Sequence, residues 1–170
     1  LWAVAFFRDP ERAIPTESGV LVSPADGKVI AVERVEGCPW LDGATAMRID
    51  IFLSVFNVHV NRMPCAGRVA SVTRRGGKCL NALRPEAYLH NISCAVVIEP
   101  EGEHPGPVAA RPITGVLARR IVCHAQPGDR YGRGDRYGMI KFGSRTELFF
   151  PADDGWEIFV RVGDQVRGGA

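Results

Sequence analysis

The residues best placed to do chemistry are Gly143 and Ser144, in the run Lys141-Phe142-Gly143-Ser144-Arg145-Thr146-Glu147-Leu148-Phe149-Phe150-Pro151. A Gly-Ser step stands here between two apolar, strand-like runs, where a hairpin would ordinarily carry Asn-Gly or Asp-Gly. Glycine opens backbone conformations closed to other residues, so the Gly143 carbonyl can be presented to the neighbouring Ser144 hydroxyl. That is the geometry a self-cleaving serine needs. The competing reading is a strand turn with a polar tip, which an isolated Gly-Ser pair would favour.

A serine hydroxyl is a weak nucleophile until a base takes its proton, and a base works best when a third group holds it. The sequence offers His59, within Asn57-Val58-His59-Val60-Asn61-Arg62-Met63-Pro64, and Asp26, within Ser23-Pro24-Ala25-Asp26-Gly27-Lys28-Val29. Taken alone, Asp26 before Gly27 reads as a turn acid, and His59 among valines reads as a hydrogen-bonded structural histidine. Arg62 carries a guanidinium suited to bidentate contact with a carboxylate or phosphate. His90 and Asn91 receive no role. The cysteines at 38, 65, 79, 94 and 123 form no C-x-x-C pair, and the histidines show no metal spacing. Reduced thiols and no metal site are expected.

Positioning these groups falls to a β-rich chain. Runs at residues 20–22, 28–35, 46–53, 68–73, 93–99, 115–122, 139–142, 146–150 and 157–162 are β-branched or aromatic, with Gly, Pro and Asp between them, and predict strands. The best helical pattern covers residues 80–90, weakened by Pro85, with a further helical turn near 54–58. A chain of 170 residues that is 46% hydrophobic suits one domain with its own core. Many short strands with frequent turns predict a mainly β (β-rich α+β), single-domain, barrel-sandwich-like fold with few short helices. Residues 23–29 and 162–169 echo one another, and resemble the two halves of the barrel-sandwich hybrid of biotinyl and lipoyl carriers. A carrier needs a modifiable lysine at a hairpin tip, and Lys28, in its Asp-Gly-Lys-Val setting, matches neither form of that motif.

A net charge of +2 is too small to argue for nucleic acid. Two clusters, Arg74, Arg75 and Lys78 and then Arg130, Arg133 and Arg136, are places where anionic headgroups could be met. Residues 1–7 are apolar up to Arg8. That is too short to span a bilayer, which needs about 20 residues, but suits the stub of an anchor or an interfacial segment; a first strand or a piece of core is the other reading.

Four blocks in order carry a family resemblance: Phe6-Phe7-Arg8-Asp9-Pro10-Glu11-Arg12, Val22-Ser23-Pro24-Ala25-Asp26-Gly27-Lys28-Val29, Ile51-Phe52-Leu53-Ser54-Val55-Phe56-Asn57-Val58-His59-Val60-Asn61-Arg62-Met63-Pro64, and the Gly143-Ser144 run. Over nearly the whole chain they resemble the phosphatidylserine decarboxylases, in their short, single-domain prokaryotic (archaeal-type) branch. The resemblance implies that Ser144 attacks the Gly143 carbonyl, that an ester replaces the peptide bond, and that elimination and loss of ammonia leave a covalent pyruvoyl (pyruvate) cofactor at position 144. It implies chains 1–143 and 144–170 that stay associated, and a triad of Asp26, His59 and Ser144. It further implies a Schiff base between substrate and pyruvoyl, carbon dioxide loss, reprotonation from His59, and release of phosphatidylethanolamine.

The implied partners are a phospholipid substrate, a membrane surface and a second copy of the chain. The implied location is the cytoplasmic side of the cell membrane, peripheral or N-terminally anchored. One departure stands out: longer relatives carry H-R-V-H-M-P, whereas this chain has His59 and then Arg62 at the second histidine position. A pyruvoyl decarboxylase of a soluble amino acid and a non-catalytic biotinyl- or lipoyl-like domain remain the alternatives.

Overall fold

Period-two alternation of apolar and polar residues builds a half-buried strand, and this chain repeats it along most of its length. The computed structural model describes residues 6–84, 86–102, 104, 106–116, 120–141, 144–153 and 155–170, with residue 88 described by its backbone only. Its strands are β1 (Gly27–Val35), β2 (Ala46–Leu53), β3 (Val60–Arg62), β4 (Gly67–Arg75), β5 (Ser93–Pro100), β6 (Val108–Thr114), β7 (Ile121–Cys123), β8 (Arg130–Tyr131), β9 (Arg136–Ile140), β10 (Ser144–Pro151) and β11 (Gln165–Val166). The named helical elements are short, a 3-10 turn at Pro39–Leu41 and a single helical turn, α1, at Ala87–His90. The mainly β expectation, with few short helices, is met.

Among the described residues the ladders between named strands are antiparallel, and an isolated parallel bridge joins Lys78 to Asn91. A large curled sheet runs in the order β11-β1-β2-β10-β6-β5-β4-β8, and a small one in the order β3-β9-β7. Because side chains alternate across a strand, Ser144, Thr146, Leu148 and Phe150 share one face of β10. On that face Leu148 and Phe150 pack with Ile49, Ile51, Leu53, Met63 and Tyr137 in the main core. Burying a side chain of this size contributes about 1.5–3 kcal/mol, so this face holds the two sheets together. The other face packs Phe149 against Ala109, Val97 and Leu41.

The two echoing segments meet, as the barrel-sandwich resemblance requires: Gly27 is registered with Val166 and Lys28 with Gln165. A Cβ at Gly27 would sit 2.3 Å from the Phe52 carbonyl oxygen, so only glycine lets β1 approach β2 directly after Asp26. Lys28 lies within the ladder, opposite Phe52 as well as Gln165. It is therefore not at a hairpin tip, which removes the one candidate for a carrier lysine.

Several elements differ from expectation. The strand expected at 115–122 is met only at its end, where β7 starts at Ile121, with residues 117–119 outside the described set, and β6, Val108–Thr114, was not expected. Pro112 within β6 falls between the registered pairs Ser93↔Ile113 and Val96↔Ala110, where its missing N–H interrupts the ladder to β5. No ladder forms at 20–22 or 157–162. The second of these still packs Ile158 and Val160 inward and leaves Phe159 exposed, so its alternation reflects packing without pairing. Residues 54–57 make a hydrogen-bonded turn, Asn57 N–H to Ser54 carbonyl, instead of helix. The helix expected at 80–90 shrinks to α1, which begins after Pro85, a residue outside the described set.

Candidate active site

Ser144 is the first residue of β10, registered with Leu53 of β2 on one side and Thr114 of β6 on the other. The runs flanking Gly143-Ser144 do not form a hairpin. β9, ending at Ile140, belongs to the small sheet and β10, starting at Ser144, to the large one. Ser144 is fully buried, and its Oγ has no hydrogen-bond partner among the described residues. Leaving a buried hydroxyl unsatisfied costs about 1–3 kcal/mol, a cost that calls for a reason, of which a catalytic role is one. A polar turn tip is excluded. Gly143 and Phe142 lie outside the described residues.

β3 is the element on which the sequence blocks converge. Its Val60 is registered with Met139 of β9, its Arg62 N–H donates to the Pro24 carbonyl, and Asn61 Nδ2 donates to Thr146 Oγ1 at 3.4 Å. His59 lies two residues before Asn61, and Ser144 two before Thr146. At about 3.3 Å per residue, each is within roughly 7 Å of that cross-sheet contact along its own chain. Asn61 is fully buried and its Oδ1 has no partner among the described residues, so a second unsatisfied polar atom lies at the contact with Thr146, two residues along β10 from the serine.

His59 is fully buried beneath the Phe6 ring, with centroids 4.3 Å apart. Its Nδ1 lies 2.9 Å from the Asn57 carbonyl oxygen. A carbonyl only accepts, so Nδ1 carries the proton and Nε2 is the basic nitrogen. Burial pushes the imidazole down to about 4, opposed by the Asn57 hydrogen bond; the Arg8 charge lowers it further and the Asp26 charge raises it. His59 is thus neutral near pH 7, the form that can accept a proton.

Asp26 spends its two oxygens on Arg12, at 2.8 Å, and on the Gly168 N–H, at 2.7 Å. Its charge reaches His59, but the hydrogen bond that fixes the Nδ1–H tautomer comes from Asn57. Arg12, which closes the first family block, is drawn inward by Asp26. Arg62 is buried and its guanidinium donates to the Gly134 carbonyl (2.9 Å), the Pro10 carbonyl (3.0 Å) and Asp9 (3.4 Å). Arg130, Arg133 and Arg136 are also engaged within the protein, by Glu101, by backbone carbonyls at 15, 17 and 20, and by Asp9 and Glu11. That cluster does not offer a free face to headgroups.

Behind Ser144, on the opposite face of β10, lies a buried ion network that the sequence reading did not single out. Arg145 pairs with Asp50, Arg145 and Arg111 both reach Glu147, and Arg48 bridges Asp50 and Glu33. Burial raises the Glu147 carboxyl, opposed by Arg111, and raises that of Asp50, opposed by Arg145. The strand that begins with Ser144 is therefore pinned on one face by ion pairs and on the other by the core.

Asn57, Asn61, Thr146 and Phe6 are the site residues that sequence reasoning missed. A signal existed for Asn61: Asn57, His59 and Asn61 recur every second residue between Val58 and Val60, which places polar groups on one face. Among the described residues no group of three His, Cys, Asp or Glu side chains could hold a metal. The five cysteines are free thiols. An apolar cavity of about 460 Å³ lies further along the inner face, lined by Ile49, Leu148, Phe150, Trp156 and Ile158. It contains none of the residues named above as chemically active. No helix among the described residues is long and apolar enough to cross a membrane.

The family model described as phosphatidylserine decarboxylase matches residues 1–170. A protein from Rhodopirellula baltica named phosphatidylserine decarboxylase proenzyme is 48% identical over 165 residues, covering 97% of this chain and 68% of that protein. Proteins of the same name from Nitratidesulfovibrio vulgaris (47% identical, 96% of this chain and 73% of that protein) and Symbiobacterium thermophilum (45%, 99% and 76%) are similar to it. With a buried, unsatisfied serine at a Gly-Ser step, a neutral histidine beside the same cross-sheet contact, and matches over its full length, this chain belongs to the phosphatidylserine decarboxylase family.

Proposed function

We propose that this chain is a proenzyme that splits itself between Gly143 and Ser144 and then converts phosphatidylserine to phosphatidylethanolamine. The observation that carries the reading is the Ser144 hydroxyl, fully buried without a partner at the head of β10, in a chain whose relatives are named proenzymes of that decarboxylase. His59 Nε2 takes the proton from Ser144 Oγ, and the oxygen attacks the Gly143 carbonyl carbon. The C–N bond breaks, and an ester links residue 143 to the Ser144 side chain. Removal of the Ser144 Cα proton expels the carboxylate of residue 143, and hydrolysis of the resulting dehydroalanine releases ammonia.

The pyruvoyl group so formed supplies an electron sink for the carbanion left when the substrate loses carbon dioxide. The surroundings suit it: a buried strand head whose Oγ has no hydrogen-bond partner among the described residues. His59 Nε2, with the ring held by Asn57, takes a proton from the substrate ammonium and returns it to the substrate α-carbon after carbon dioxide leaves, so the imidazole ends neutral as it began. Asp26 raises the basicity of that imidazole through its charge and, through Arg12 and Gly168, anchors the N- and C-terminal segments around the site. Arg62, with three partners of its own, acts as a positioning residue that ties residues 9–10 under β3.

The bilayer is the source of substrate, and the protein works at its surface as two associated chains, with a second copy as a further partner. Denaturing intact-mass measurement tests the reading. The expected result is two chains split after Gly143, the smaller lacking its amine; Ser144→Ala is expected as one uncleaved, inactive chain. Cleavage of Ser144→Ala at that bond, or turnover of free serine in preference to phosphatidylserine, would overturn it.

A further inference from the structure

Seven large hydrophobic side chains are exposed among the described residues: Phe7, Phe56, Leu83, Leu89, Val116, Phe159 and Val162. The first five cluster at one end of the fold. Ser144 is registered with Leu53, from which the chain reaches Phe56 in three residues, and with Thr114, from which it reaches Val116 in two. Next in the sheet, Ile113 is registered with Ser93, shortly after α1 and its Leu89. Asn91 links these segments: its Nδ2 donates to the carbonyls of Leu80 and Thr114, which holds the 80–90 segment and its Leu83 at this end. The Arg8 guanidinium donates to the Phe56 carbonyl, which brings Phe7 alongside.

Cations accompany them. Arg75, Lys78, Arg84 and Arg120 are exposed on the same end, whereas the described residues of 54–57, 76–91, 115–116 and 120 carry one acid, Glu86. Solvated loops rarely present several large apolar side chains from separate segments around one buried reactive residue. Apolar tips ringed by cations match an anionic bilayer surface, with tips in the acyl boundary and cations at the headgroups.

We propose that the Ser144 end of the two sheets is a bilayer-docking face, in which Phe56, Leu83, Leu89 and Val116 insert and Arg75, Lys78, Arg84 and Arg120 meet anionic headgroups. The inference rests on the phospholipid-substrate reading above. It makes docking a property of the folded domain rather than of residues 1–7 alone, and brings the serine headgroup of a bilayer lipid to the end of the fold at which Ser144 lies.

The test is flotation with vesicles of phosphatidylcholine containing a minority of phosphatidylglycerol, alongside turnover of a short-chain, monomeric phosphatidylserine. Each apolar substitution, Phe56→Ser, Leu83→Ser or Leu89→Ser, is expected to weaken vesicle binding roughly tenfold. Each cation replaced by Ser is expected to cost roughly fivefold at low salt. Self-cleavage and short-chain turnover stay unchanged, which shows the variants folded; Phe159→Ser, away from this end, floats as the parent does. A Trp placed at Phe56 is expected to shift its emission to the blue on vesicle addition. Full flotation of the triple Ser variant with normal short-chain turnover would overturn the docking face alone, and absent cleavage and turnover in the parent would overturn the reading beneath it.

Discussion

The Nδ1 atom of His59 stands 2.9 Å from the carbonyl oxygen of Asn57, two residues before it in the same turn. The orienting partner of the candidate base is therefore local backbone, and Asp26 contributes its charge from further away. This division of labour sets the expected behaviour of the site.

Asp26→Asn keeps the shape of the side chain and removes the charge. In a serine protease the equivalent change costs about 10⁴ because the histidine takes the wrong tautomer. Here Asn57 holds the tautomer, so self-cleavage is expected to slow by only about ten- to a hundredfold. The time course of chain separation in newly made precursor measures this. A loss as large as in the protease would mean that Asp26 orients the imidazole directly.

Burial sets the pH response of the base. An ordinary histidine base is half lost near pH 6.5, whereas His59, pushed down to about 4, remains neutral well below that value. Self-cleavage is expected to hold its rate down to about pH 5 and to fall as pH approaches 4. A midpoint near 6.5 in the cleavage rate would place the base elsewhere.

The same group governs acid stability. The folded pKa lies below the unfolded one, so the unfolded chain binds the proton first as pH falls. The His59 contribution is fully present above about 6.5 and is lost progressively towards 4, by at most about 3 kcal/mol. Urea unfolding of the uncleaved Ser144→Ala chain across this window reads the effect. His59→Gln should flatten the slope, and an unchanged slope would remove His59 as its source.

Glu147 accepts from Arg111 and faces Arg145 in the buried network behind β10. Glu147→Gln removes the carboxylate that faces Arg111 and leaves Arg145 to Asp50, and breaking a buried ion pair from one side costs about 3–5 kcal/mol. The replacement Glu147→Leu with Arg111→Met is expected to cost less, because no charge of that pair is left behind. Urea midpoints in the Ser144→Ala background decide between them.

After cleavage the small chain, 144–170, contributes β10, a central strand between β2 and β6. Removing it would open the middle of the large sheet, so the two chains are expected to co-migrate in native size-exclusion and to separate only in denaturant. Separation without denaturant would contradict the strand order.

The candidate residues could be picked out in the chain because each needs only its type and its neighbours: a Gly-Ser step, a Pro-Ala-Asp-Gly turn, and a histidine among valines. So were β1, β2, β4, β5 and β10, whose period-two patterns are long enough to fix a strand without help from a partner. Tertiary structure decided what pairing across distance decides. β9 and β10 look like the arms of one hairpin, yet they belong to different sheets, because the hydrophobic alternation of each is satisfied equally by either partner. Pro112 hid β6, since a proline argues against an interior strand until a gap in the ladder is found to hold it. The Asn61–Thr146 contact spans 85 residues, and no local pattern encodes such a pairing. Burial decided the rest: the composition around His59 announces an apolar run, but only the closed fold excludes water from the ring and so sets the charge state on which the site depends.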